Sequence, residues 1–123
     1  ANGNINLGAG ADSLTLANGT NKLTASNVET LTGGTGADTV TLASTMASDS
    51  LVDLGDGNDT LVLAAGGNVL SISNVETITG GTGADEVTLA TTTSNAQINL
   101  GSGNDKLTLL DGGNTLTITA VET

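Results

Sequence analysis

Gly33-Gly34-Thr35-Gly36-Ala37-Asp38-Thr39-Val40-Thr41-Leu42 is the stretch that decides the fold, and it returns as Gly80-Gly81-Thr82-Gly83-Ala84-Asp85-Glu86-Val87-Thr88-Leu89. Shorter cousins read Leu7-Gly8-Ala9-Gly10-Ala11-Asp12, Leu54-Gly55-Asp56-Gly57-Asn58-Asp59 and Leu100-Gly101-Ser102-Gly103-Asn104-Asp105. Each writes a glycine-rich turn ending in a carboxylate, followed by apolar residues at alternate positions. Alternation with period two is the signature of a short strand with one buried face.

Outward from this stretch the chain is periodic. Ser26-Asn27-Val28-Glu29-Thr30 recurs as Ser73-Asn74-Val75-Glu76-Thr77, and Val121-Glu122-Thr123 closes the chain, so Val28, Val75 and Val121 stand 47 and then 46 residues apart. Ile5, Val28, Val52, Val75, Ile98 and Val121 subdivide this double repeat into steps of 23 or 24. Apolar pairs such as Ile5/Leu7, Leu14/Leu16 and Leu23/Ala25 supply three strands per step, with the third fading in 44–50 and 91–97. The expected fold is an all-β parallel β-solenoid with about 23 residues per coil and about five coils. It forms a single domain over 1–123 with repeats near 5–51, 52–97 and 98–123, and the abrupt start and stop of the pattern predict a longer array. A roll with two strands per turn and about 18 residues is the alternative winding. It would throw successive glycine turns onto opposite edges, whereas the 23-residue coil keeps them more nearly on one, and is preferred.

Composition excludes much. There is no cysteine and no histidine, which removes disulfides, thiolate or imidazole metal sites and Ser-His-Asp chemistry. The net charge is −11, with Lys22 and Lys106 the only cations and no aromatic residue, so nucleic acid is a poor partner. No apolar run reaches the roughly 18 residues of a membrane span. Acidity without aromatics suggests disorder, but 30 of the 123 residues are Leu, Ile or Val and they recur periodically. Disorder is therefore expected only of the chain stripped of cations. The absence of proline suits coils that must donate backbone hydrogen bonds to one another.

The turn itself allows two readings. Glycines at alternate positions let carbonyls converge, and the carboxylate closes over them, a hard-oxygen set suited to Ca²⁺. Alternatively the glycines are corners, with Asp capping its own backbone. Gly33 to Thr41 and its Gly80 copy resemble the nonapeptide Gly-Gly-x-Gly-x-Asp-x-apolar-x of haemolysin-type (RTX) repeats; in the other three copies Leu7, Leu54 and Leu100 replace the first glycine. The Ser-Asn-Val-Glu-Thr phrases are similar in style to long repetitive bacterial surface proteins. The resemblance implies calcium held between stacked turns, secretion, and folding outside the cell. The implied ligands are the carboxylates of Asp12, Asp38, Asp59, Asp85 and Asp105, with Asp56 and with carbonyls from Gly34, Gly36, Gly55, Gly57, Gly81 and Gly83. In RTX proteins the nonapeptides run in tandem; here the turns stand 20 to 26 residues apart, a departure that bears on whether each ion sees two turns.

Asn6, Glu29, Asp53, Glu76, Asn99 and Glu122 are expected to form a separate outward column of acidic character. The functional expectation is a non-enzymatic structural or interaction module of an extracellular bacterial surface protein, adhesin, surface layer or filament. Its expected partners are calcium ions and copies of itself, end to end or laterally. Ice binding by outward threonines is the first rival, weakened by Glu86, Lys106 and Val62 among Ser13/Thr15, Thr39/Thr41, Thr60/Val62, Glu86/Thr88 and Lys106/Thr108. A metal-free structural repeat is the second.

Overall fold

The structure is a computed structural model that describes residues 3–122. It is a parallel β-solenoid of about six turns, all-β, without a helix. In chain order the strands begin with β1 (Gly3–Asn6), β2 (Ser13–Thr15), β3 (Lys22–Ser26), β4 (Thr30–Thr35), β5 (Thr39–Leu42) and β6 (Ser50–Asp56). They continue with β7 (Thr60–Val62), β8 (Val69–Ser73), β9 (Thr77–Thr82), β10 (Glu86–Leu89), β11 (Ser94–Ser102), β12 (Lys106–Thr108) and β13 (Thr115–Thr119). Odd strands form one seven-stranded sheet and even strands a six-stranded sheet, each pair parallel and in sequence order. Every coil is thus one strand from each sheet and two turns.

The expected coil of 23 residues with three strands is corrected by this pairing. Lys22 lies beside Thr39, Thr39 beside Thr60, and Thr60 beside Thr77, so one coil takes 17 or 21 residues. The reason lies in Val28, Val75 and Val121. Ile5, Val52 and Ile98 are strand residues, but Val28 and Val75 sit in the turns before β4 and β9, where they are buried and seal the end of the core. Equating corner valines with strand residues halved the repeat artificially. The 46–47-residue repeat makes five strands, which is two and a half coils, so successive repeats begin in opposite sheets.

Packing follows from parallel register. Leu23, Val40, Leu61, Ile78 and Ile98 stack in one inner column, and Leu14, Leu31, Val52, Ile72 and Leu89 in the column facing it. Alternate positions put these side chains between two sheets, and burying each stabilises the fold by about 1.5–3 kcal/mol. Leu31, Val40, Val52, Leu54, Leu61 and Leu100 are wholly buried. Toward the ends the core opens: Leu7, Leu109, Leu110 and Ile118 are exposed.

Candidate cation-binding turns

Two turns per coil create two edges, and the glycine turns occur on both. Turns 36–38 and 57–59 stack on one edge, between the even sheet and the following odd strand. Turns 83–85 and 103–105 stack on the other, which also carries Asp12. The expectation that the turns gather on one edge is corrected, because the repeat holds an odd number of strands.

Hydrogen bonds tie these turns into ladders. On one edge the Asn21 N–H donates to Asp38 Oδ1 at 2.8 Å, the Asp38 N–H to Asp59 Oδ1 at 2.7 Å, and the Asp59 N–H to Glu76 Oε2 at 2.8 Å. On the other edge Asn68, Asp85, Asp105 and Glu122 repeat the sequence at 2.9, 2.8 and 2.8 Å. A shorter run joins the Asp12 N–H to Glu29 Oε2 at 2.8 Å. Each ladder therefore reads Asn, Asp, Asp, Glu. The corner reading expected Asp to cap its own turn; instead each carboxylate caps the turn one coil earlier.

The asparagine rungs show what the aspartate rungs lack. Asn68 Nδ2 donates to Ala64 O and Gly66 O in its own turn, both at 2.9 Å, and to Asp85 Oδ1 at 2.8 Å. Asn21 Nδ2 does the same with Ala17 O, Gly19 O and Asp38 Oδ1. One amide thus gathers three oxygens. Where Asp replaces Asn, the atom in the amide's position is Oδ2, an acceptor among acceptors. Oδ2 of Asp12, Asp38, Asp59, Asp85 and Asp105 is buried without a hydrogen-bond partner in every case. Leaving a buried charged oxygen unpaired costs more than the usual 1–3 kcal/mol of an unsatisfied neutral group.

The glycines make room for this arrangement. A methyl on Gly57 would meet Gly36 O at 2.5 Å and Asp59 Oδ1 at 2.9 Å, so one turn's carbonyl and the next turn's carboxylate converge there. Gly103 stands in the same relation to Gly83 O and Asp105 Oδ1, while Gly55 and Gly101 abut Gly34 O and Gly81 O. Gly36, Gly57, Gly83 and Gly103 all have positive φ, which only glycine adopts freely. Asp56 is exposed, and its backbone carbonyl accepts from Gly36 N–H at 2.7 Å.

Burial pushes the Asp59 carboxyl above its ordinary value; the Asp38 N–H opposes this, and Glu76, Asp38 and Asp56 add repulsion. Among the described residues no three acidic side chains converge as a carboxylate cluster. A cation here would be held by two carboxylates and turn carbonyls, the hard-oxygen mixture Ca²⁺ accepts.

The expected outward column is also corrected. Glu29, Glu76 and Glu122 belong to the ladders. Asn6, Asp53 and Asn99 instead accept from the backbone two residues ahead, at Gly8, Gly55 and Gly101. The asparagine rungs were missed in the sequence, although Asn21, Asn68 and Asn114 each precede a strand as the Asp residues do.

Fold and ladders together define a parallel β-solenoid repeat protein. Comparisons of the chain with protein-family models, with curated proteins and with solved structures found no match, so function is argued from the geometry of the turns.

Proposed function

We propose that this chain is a calcium-stabilised structural module of an extracellular bacterial surface protein, serving as a rod and docking surface and not as an enzyme. The observation that carries the reading is the unpartnered Oδ2 at all five Gly-x-Gly-x-Asp turns, set against asparagine turns in which an amide fills the same position. A divalent cation supplies the missing positive partner and draws in the turn carbonyls. The residues that hold it are Asp12, Asp38, Asp59, Asp85 and Asp105 with the glycine carbonyls of their turns. Calcium concentrations suited to weak, repeated sites of this kind occur outside cells. Exposed Leu109, Leu110 and Ile118 at one end and Leu7 at the other suit stacking of copies end to end, which a sedimentation coefficient rising with concentration would report.

Circular dichroism of calcium-free protein, followed by titration with calcium, tests the proposal. The expected result is a β signal and melting temperature that rise with calcium, each site adding about 2.7 kcal/mol at a hundredfold excess over its Kd. A signal indifferent to calcium returns the turns to plain corners.

One observation favours a second reading. The odd-numbered sheet carries two outward columns rich in threonine: Thr39, Thr60, Thr77 and Thr117, broken by Lys22 and Gln97, and Thr24, Thr41, Thr79 and Thr119, broken by Val62 and Asn99. Glu86 and Lys106 lie on the opposite sheet, so they do not interrupt this face. Such a flat array, spaced about 4.8 Å across strands, is a candidate ice-binding surface. Thermal hysteresis of the calcium-loaded protein distinguishes this role.

A further inference from the structure

Glu29, Glu76 and Glu122 recur in the Val-Glu-Thr phrase, and a backbone cap alone does not account for their charge. We propose that these glutamates are cation ligands, closing three mixed Asp–Glu sites at Asp12/Glu29, Asp59/Glu76 and Asp105/Glu122. These differ from the Asp–Asp sites at Asp38/Asp59 and Asp85/Asp105. The inference rests on the calcium reading above and specifies how each ladder ends.

The argument starts from the amide that needs no ion. Asn68 Nδ2 faces its own turn carbonyls and the carboxylate of the next rung, Asp85. Asp59 and Asp105 are the same kind of rung, 0% and 1% exposed, each accepting at Oδ1 from the rung before. Their Oδ2 therefore takes the amide's position and faces the next rung's carboxylate, which belongs to Glu76 or Glu122. Those glutamates already lie within hydrogen-bond reach of the aspartate backbone, at 2.8 Å from Asp59 N and 2.8 Å from Asp105 N. Two carboxylates and two carbonyls then surround a point with no donor. A glutamine would cap the same N–H equally well, so the recurrence of Glu calls for its charge.

The glutamate turns differ from the glycine turns in what they contribute. Val28 and Val75 are buried at the corner, and Asn27 and Asn74 carry the positive φ, so these turns close on the core. They bring a carboxylate without a glycine cradle. A ladder can therefore end at Glu without creating a further cation position beyond it. Glu76 also borders a cavity of about 250 Å³ with Asn74, Thr91, Thr92, Thr93 and Ser94, which gives water and ions access.

Equilibrium dialysis of the 123-residue chain against calcium tests the assignment. The wild type is expected to bind one ion at each of the five Asp turns. In Glu29→Gln/Glu76→Gln/Glu122→Gln the amide oxygen still accepts the backbone N–H, so the ladder persists. Two sites are expected at wild-type affinity, with the other three weakened by about tenfold or more. The single variant Glu76→Gln, less exposed to misfolding, is expected to weaken one site only. Asp38→Asn/Asp85→Asn is the converse, losing the two Asp–Asp sites and keeping the three mixed ones. A triple variant that binds as many ions as the wild type with unchanged affinity overturns the role of glutamate and leaves calcium binding standing. A wild type that binds no calcium overturns both.

Discussion

At the scale of single residues, the ladders turn on whether one atom donates or accepts. Asn21 and Asp38 occupy equivalent positions, but Nδ2 of Asn21 makes three hydrogen bonds while Oδ2 of Asp38 makes none. A related comparison exposes a weak point at Ala120. Asn27 and Asn74 hold φ of 55° and 52° and donate from Nδ2 to Asn6 and Asp53 at 2.8 Å. Ala120 holds φ of 52° in the same place, with Asn99 standing where Asn6 and Asp53 stand. Left-handed backbone is costly for alanine by roughly 1–2 kcal/mol. Ala120→Asn is expected to stabilise the chain by about 1 kcal/mol, combining easier φ with a hydrogen bond to Asn99. Chemical denaturation of the two chains measures this directly, and a variant no more stable than wild type refutes it.

At the scale of elements, strand pairing depends on complementary small and large residues. Gly33 in β4 lies against Leu54 in β6, and a methyl on Gly33 would overlap the Leu54 carbonyl and Cα. Gly80 and Leu100 form the matching pair between β9 and β11. This is why the first glycine of the nonapeptide alternates with leucine from one copy to the next. The Gly33→Ala chain is expected to lose about 1–3 kcal/mol or more, since the obstacle is backbone. Leu54→Ala added to it gives no relief. Gly113→Ala, whose added methyl meets nothing within 4 Å, serves as the neutral control in the same thermal melts. The strands themselves were legible in the sequence because alternation survives any winding. The number of strands per coil was not, because a buried corner valine and a buried strand valine look alike in a one-dimensional pattern.

At the scale of the whole molecule, a chain of net charge −11 stacks acidic rungs a few ångströms apart on two edges. Without cations, protons are the remaining means of neutralising them. Burial raises the Asp59 pKa above its unfolded value, so the folded state binds the proton more tightly. Its contribution is fully present below the ordinary aspartate pKa and is lost as pH rises through the raised one. Calcium-free protein is accordingly expected to melt higher near pH 4 than at neutral pH, and saturating calcium should reverse that order because protons then displace the ion. Melting temperatures across this window, with and without calcium, decide the point. A metal-free protein that is least stable in acid would contradict the assignment.

The repeat, the all-β class and the carboxylate of every glycine turn follow from the sequence alone, because glycine spacing and period-two alternation are local properties. Asp12, Asp38, Asp59, Asp85 and Asp105 stand out there without any coordinates. Tertiary structure alone decided how those residues meet. Five strands per repeat divided between two sheets is a counting property of the wound chain, and it sends successive repeats to opposite edges. It also sets Asn21 beside Asp38 and Asp59 beside Glu76, partners 17 residues apart that no local pattern connects. The donor that completes the asparagine turn, and the lone oxygen that awaits a cation in the aspartate turn, become visible only in that stacking.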